Sequence, residues 1–325
     1  MSDHSQIQWT DATWNPTTGC TKVSPGCANC YIERTPAFRI AGRTFEKGHI
    51  PLQLHENRLE QPLHWRKPRR VFVNSLSDLF HADVPDSFID HVFAVMALCP
   101  QHTFQVLTKR VERMRDYMRD RARHHDVTMS MQDREYGVAA LLPANGRSYP
   151  RWPNEWPLLN VWLGVSVENQ HFADERIPLL LQTPAAIRFI SAEPLLGPVT
   201  LAQFYSGTVT RDWIRGATRL DWVIVGGESG PQSRPSDVAW IRSLRNQCRL
   251  AGVACFIKQL GQRPRCALTS AGQFGEGVTI GRHDAHSDED VLCTGVEMRL
   301  RDRKGGAIEE WPADLRVREW PKVRA

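Results

Sequence analysis

Short runs of Val, Ile, Phe and Trp recur along the chain, each closed by polar residues. They are Val71–Asn74, Phe104–Thr108, Val161–Val165, Ile187–Ser191, Trp222–Val225 and Val253–Lys258. Apolar runs this short and this continuous read as strands buried on both faces, the pattern of a parallel sheet. Between them the period changes. Pro85–Ala97 places Phe88, Ile89, Val92, Phe93 and Met96 at helical spacing, and its Asp-Val-Pro-Asp opening is a helix start signal. Asp237–Ala251 repeats the pattern with Val238, Ile241, Leu244 and Cys248, and Gly252 is placed to end it. Strand and helix in alternation predict an α/β fold. The first strand is not followed by Gly-x-Gly-x-x-Gly, which removes the main support for a dinucleotide-binding sheet and leaves a partial (β/α)6-type barrel of parallel strands. The expected layout is a barrel over residues 1–262 and a loop-rich extension over 263–325 packed against it. Two irregular stretches interrupt the alternation, one at about 121–157 and one at 263–304.

The polar closures of the strands carry the candidate chemistry, because barrel enzymes build their sites at the C-terminal ends of the strands. Asn74, Ser75 and Asp78 follow the first long run, Ser166 and Glu168 the third, Ser191 and Glu193 the fourth, Glu228 the fifth, and Lys258 closes the sixth. Serines at such places also cap helices. Capping accounts poorly for Glu193, Glu228 and Lys258, which are therefore the candidate catalytic residues.

Three of the eight cysteines fall within eleven positions, Cys20, Cys27 and Cys30, on a segment with Gly19, Pro25 and Gly26 that reads as a wrapping loop. Cys99 and Cys255 instead sit in apolar runs and read as core. Clustered thiols in a chain without a signal peptide point to metal or redox chemistry rather than disulfides. Structural zinc wants four ligands, and no second Cys or His pair follows at finger spacing. Three thiolates from one loop suit an iron–sulfur cubane with one iron left open, with zinc and unligated thiols as the alternatives.

Composition adds little. Charge is +5 from 41 basic and 36 acidic residues, which permits an anionic partner without requiring one. Arg66–Arg70 and Lys109–Arg123 concentrate the positive charge, as solvated surface or as a phosphate-binding face. The longest apolar run, Val92–Cys99, is far short of the roughly 20 residues that span a bilayer. No membrane partner and a cytoplasmic location are expected.

A parallel α/β barrel whose first strand leads into a three-cysteine loop resembles the radical S-adenosylmethionine superfamily. The chain is more closely similar to an uncharacterised group of phage- and prophage-associated proteins with a three-cysteine motif. That likeness rests on Ile7–Pro16, the cysteine loop through Arg34, Val71–Phe80, Phe104–Arg110, and Gly226–Gly230 with Arg234 and Pro235. The superfamily spacing is Cys-x3-Cys-x2-Cys, with an aromatic before the last cysteine. Here it is Cys-x6-Cys-x2-Cys, with Asn29 in the aromatic position and Tyr31 after the last cysteine. The resemblance implies that Cys20, Cys27 and Cys30 hold a 4Fe-4S cluster. It implies that the open iron binds S-adenosylmethionine, whose one-electron cleavage yields a 5′-deoxyadenosyl radical. The superfamily's Gly-Gly-Glu lies on its second strand, whereas Gly226–Glu228 lies on a late one, so Asn74, Ser75 and Asp78 are the residues expected at the methionine end. Ser166, Glu168, Ser191 and Glu193 would reach the ribose or the substrate, and Glu228, Arg234 and Lys258 are candidates for the substrate side. An electron donor and a nucleic acid or nucleotide substrate are the expected partners. Two rival readings are a non-catalytic nucleic-acid-binding module stapled by metal, and a barrel hydrolase using Glu193 and Glu228 as acid and base.

Overall fold

The computed structural model describes residues 5–120, 125, 127–128, 156–205, 219–266, 279–280 and 296–322. Most of the stretch at 121–157 and of the polar run between 267 and 295 lies outside them. In chain order the strands are β1 (Ala12–Trp14), β2 (Thr17–Thr21), β3 (His49–Leu54), β4 (Arg70–Val73), β5 (Thr103–Thr108), β6 (Val161–Ser166), β7 (Ile187–Ala192), β8 (Trp222–Gly226), β9 (Ser236–Asp237), β10 (Ala254–Gln259), β11 (Pro264–Cys266), β12 (Thr279–Ile280) and β13 (Val296–Arg299). The helices are α1 (Pro36–Ile40), α2 (Asp86–Leu98), α3 (Val111–Arg119), α4 (Gln170–Leu181), α5 (Ala202–Tyr205) and α6 (Val238–Ala251).

Seven strands form one parallel sheet in the order β1-β4-β5-β6-β7-β8-β10. The order never reverses, so every crossover steps in the same direction. Crossovers between parallel strands are right-handed, so all of them lie on one face, and the sheet curls away from its helices into a half-barrel. The expected parallel α/β partial barrel is therefore present, with seven strands.

Alternation along the strands divides the apolar residues between two cores. Val71, Val73, Leu163, Val165, Ile190, Val223, Val225 and Ile257 face the helices and pack with α2, α4 and α6. Phe72, Trp162, Ile187, Phe189, Trp222, Ile224 and Phe256 face the concave interior and fill it with rings. Gly164 belongs to the inner row because the Phe189 ring lies 2.6 Å from where its Cβ would be. Trp9, before β1, completes this floor at 4.7 Å from Phe72 and 6.2 Å from Trp222. Trp9 and Trp14 are both buried.

The open side between β1 and β10 is closed by residues near 320. Ile257 donates its N–H to the Val317 carbonyl and Glu319 to that of Cys255, each at 2.9 Å. The Trp320 ring stacks on Phe256 at 4.9 Å and takes the Arg70 guanidinium at 4.7 Å. A small sheet, β12-β13-β11-β9, joins the loops after β8 and β10 to the chain beyond 263. Among the described residues no helix is long and apolar enough to cross a membrane.

Candidate functional site

At the mouth of the half-barrel, where the strands end, the cysteine loop is threaded between β1 and β4. The Asn15 side chain, just after β1, accepts the Leu76 N–H at 2.9 Å and the Ser75 hydroxyl at 3.2 Å. β2 and β3 then form a hairpin that carries Cys20. Gly19 sits there at φ +103°, and a Cβ would stand 2.2 Å from the Pro51 carbonyl oxygen. Only glycine allows that close approach. Cys27 ends a single turn begun by Pro25, and Cys30 follows three residues on.

The three thiols are neighbours: Cys20 feels the charge of both Cys27 and Cys30, and Cys30 that of Cys27. Burial pushes the Cys20 thiol up to about 12, with Asp78 adding to the rise and Arg110 opposing it. Burial likewise raises Cys30, against the pull of Lys109 and Lys22. Strand β5 thus ends in two cations, Lys109 near Cys30 and Arg110 with a guanidinium nitrogen 4.0 Å from the Cys20 sulfur. Neither was among the expected site residues. Their signal was position, directly after a buried strand, but the basic stretch that follows hid it.

Among the described residues no group of three or more His, Cys, Asp or Glu gathers as a site for a single metal ion. A single ion needs ligands converging on one point. A cubane takes each cysteine on a separate iron, and Cys20, Cys27 and Cys30 are the residues that would hold one. Asn74 adds an independent sign of a ligand. It is 2% exposed and left-handed at φ +59°. Its Oδ1 accepts the Thr17 N–H at 3.3 Å, which leaves Nδ2 buried and without a hydrogen-bond partner among the described residues. A buried N–H2 donor in that state awaits an acceptor.

The mouth carboxylates have separate duties. Asp78 accepts from the Thr108 hydroxyl at 2.7 Å, the Lys109 N–H at 3.1 Å and Arg110 at 2.8 Å, so it fixes the end of β5. Glu168 is fully buried and accepts from Lys109 at 2.6 Å, Arg176 at 3.0 Å and the Ser24 hydroxyl at 2.5 Å. Burial raises its carboxyl, yet Lys109 and Arg176 outweigh that and hold it below the ordinary range. Gly26 packs on this same carboxylate, whose Cγ lies 2.4 Å from where a Cβ would be. Glu228 takes Arg234 through two side-chain bonds of 2.6 and 2.9 Å and Asn29 at 3.2 Å. Burial again raises it and Arg234 prevails, so it too is depressed. Arg234 reaches on to the Pro25 carbonyl at 3.0 Å. Glu168 and Glu228 therefore hold the cysteine loop down from opposite sides.

Glu193 is different. Its Oε1 accepts from Lys258 at 2.6 Å and Gln259 at 3.1 Å, and no described loop residue hydrogen-bonds to it. Ser166 and Ser191 stand side by side in register, buried, with neither hydroxyl hydrogen-bonded among the described residues. Ser75 lends its carbonyl to the Tyr31 hydroxyl and its own hydroxyl to Asn15.

Several of the described basic residues are engaged within the fold. Arg70 opens β4 at the far end of the barrel and pairs with Asp11 at 2.8 Å, and Arg69 lies over Trp65. Arg113 donates to the His81 and Val84 carbonyls and to Asp86. No curated protein and no solved structure matches the chain. From residue 4 to residue 290 it matches one protein family, and the chain belongs to that family, DUF5131, described as a protein of unknown function.

Proposed function

We propose that this chain is an iron–sulfur enzyme of the radical S-adenosylmethionine type, in which Cys20, Cys27 and Cys30 hold a 4Fe-4S cluster and leave one iron for S-adenosylmethionine. The observation that carries this reading is the three-thiol loop clamped over the mouth of a parallel half-barrel, with the Asn74 amide donor buried there and unpartnered among the described residues. When bound, the cluster would supply the electron that cleaves the sulfonium of S-adenosylmethionine to give a 5′-deoxyadenosyl radical. The Asn74 Nδ2 donates to an acceptor of the methionine end, and Asp78 acts indirectly by holding Arg110 and the end of β5. The paired Ser166 and Ser191 hydroxyls suit a diol such as the ribose. Glu168 and Glu228, through Ser24, Asn29 and Arg234, keep the loop closed over the site. The aromatic floor seals the opposite end, so water and stray reductants are excluded from below. The loop surface at Val23, which is exposed, is open to an electron donor.

The proposed substrate is a nucleic acid or nucleotide. Arg110 and Arg113 are engaged within the fold, so recognition through the base fits better than a broad phosphate face. Anaerobic reconstitution with iron and sulfide tests the reading. About four irons per chain, a reduced spectrum altered by S-adenosylmethionine, and loss of both in Cys27→Ala are expected. A chain that takes up no cluster, or one whose spectrum ignores S-adenosylmethionine, overturns it.

A further inference from the structure

Three of the four carboxylates at the mouth are committed to scaffold or loop. Asp78 fixes β5, while Glu168 and Glu228 pin the cysteine loop. The fourth, Glu193, and its partner Lys258 make no hydrogen bond to the cysteine loop among the described residues. Both Lys258 and Gln259 converge on Oε1 of Glu193, which leaves Oε2 without a hydrogen bond among the described residues. Lys258 gives one of its three N–H donors to the pair. The pair is partly reachable, with side chains 20% and 16% exposed. Gly226 clears the space below, since a Cβ there would sit 3.2 Å from the Glu193 carboxyl carbon. Tyr31, on the loop above, lies close enough to sense the Glu193 charge.

Resting on the proposed function, we propose that Glu193 and Lys258 are the substrate-reading pair of this mouth and that they take the hydrogen-bonding edge of a nucleobase. A free carboxylate oxygen beside an ammonium presents an acceptor next to a donor. The complementary ligand is neutral and carries an N–H next to a carbonyl or ring nitrogen, as every base edge does. A phosphate does not fit, because its charge would face Glu193 as closely as Lys258. A half-buried charged pair also discriminates, since a ligand lacking one partner leaves a charged group unpaired.

The test is equilibrium binding of uridine, guanosine, ribose 5-phosphate, inorganic phosphate and N-acetylglycinamide to the full chain. It is run both metal-free and after cluster loading with saturating S-adenosylmethionine. Adenosine is left out because the cofactor carries that base. Expected is binding of at least one nucleoside about tenfold tighter than the other three probes, weakened about tenfold or more in both Glu193→Gln and Lys258→Met. Circular dichroism and melting of each variant establish that it is folded.

Equal binding of ribose 5-phosphate or phosphate, abolished by Lys258→Met alone, overturns the proposal in favour of an anion site. Equal binding of N-acetylglycinamide overturns it in favour of a peptide amide, and absence of nucleoside binding overturns it outright. Loss of the S-adenosylmethionine response in Glu193→Gln assigns the pair to the cofactor and also overturns it. Failure of the wild-type chain to load iron counts against the proposed function alone, because the metal-free arm still reads the pair.

Discussion

The Ser24 hydroxyl donates to Glu168 at 2.5 Å across 144 residues of sequence, and this bond joins the cysteine loop to the end of the fourth strand of the main sheet. Glu168 is fully buried and also neutralises Lys109 and Arg176. Its removal therefore leaves the half-buried Lys109 without its carboxylate and Arg176 with only Glu175 at 3.8 Å, as well as loosening the loop.

Glu168→Gln keeps the shape and deletes the charge. It is expected to cost about 3 kcal/mol, the lower end for breaking a buried ion pair, and to reduce iron retained after reconstitution. Urea unfolding and iron analysis measure the two effects. Wild-type stability in this variant would contradict the clamp.

On the other side of the loop the clamp is more exposed, since Arg234 is 32% accessible. Glu228 itself is only 7% exposed, so Arg234→Ala leaves a buried carboxylate without its counter-charge and is expected to cost about 3 kcal/mol. It should also free the Pro25 carbonyl, so that Cys27 in metal-free protein reacts severalfold faster with iodoacetamide. Unchanged alkylation rates would mean that Arg234 does not hold the loop.

Acid should loosen the protein in two stages. Burial holds His81 and His102 below the usual imidazole value of 6.5, with Arg110 adding to the effect at His81. Both are neutral when folded, and the unfolded chain binds their protons first. Their contribution is complete above about pH 6.5 and is lost as pH falls through the folded values. Glu168 and Glu228, both depressed, contribute above the ordinary carboxylate value of 4.5 and are lost at lower pH. The melting temperature should fall from pH 7.5 to 5.5 and again below 4.5, with His102→Gln flattening the first stage. A melting temperature constant from pH 7.5 to 5.5 would refute the histidine part.

Packing of the inner floor is tested by Gly164→Ala. The new methyl would lie 2.6 Å from the Phe189 ring, an overpacking expected to cost about 1–3 kcal/mol. Adding Phe189→Leu should recover part of that loss, because the two positions share one contact. Denaturant midpoints of the three variants decide it, and a neutral Gly164→Ala would remove Gly164 from the inner row.

The strands were legible because their apolar runs are short, continuous and bounded, and the expected Val71, Val161 and Trp222 runs match strands to within a residue or so at each end. The helix over Val238–Ala251 and its left-handed Gly252 were equally plain. Helix α3 was not, because Val111, Met114 and Met118 lie among arginines that dominate the local composition. At the site, the sequence marked which strand ends carry charge but not which charges meet. Asn29 and Glu228 are 199 positions apart, and pairings at that distance leave no local periodicity. Lys109 and Arg110 were read with the basic stretch as surface or phosphate contacts. Their burial beside Cys30 and Cys20 follows from the direction of β5, which composition does not encode.

The seam at Val317–Glu319 bears on how the protein is made. Until residue 319 has been synthesised, the backbone groups of Cys255 and Ile257 that this segment covers have no partner on that side. An uncovered strand edge is a template for pairing with another chain. Translation stopped short of this seam would yield molecules carrying every cysteine and carboxylate of the site, and their failing would be self-association.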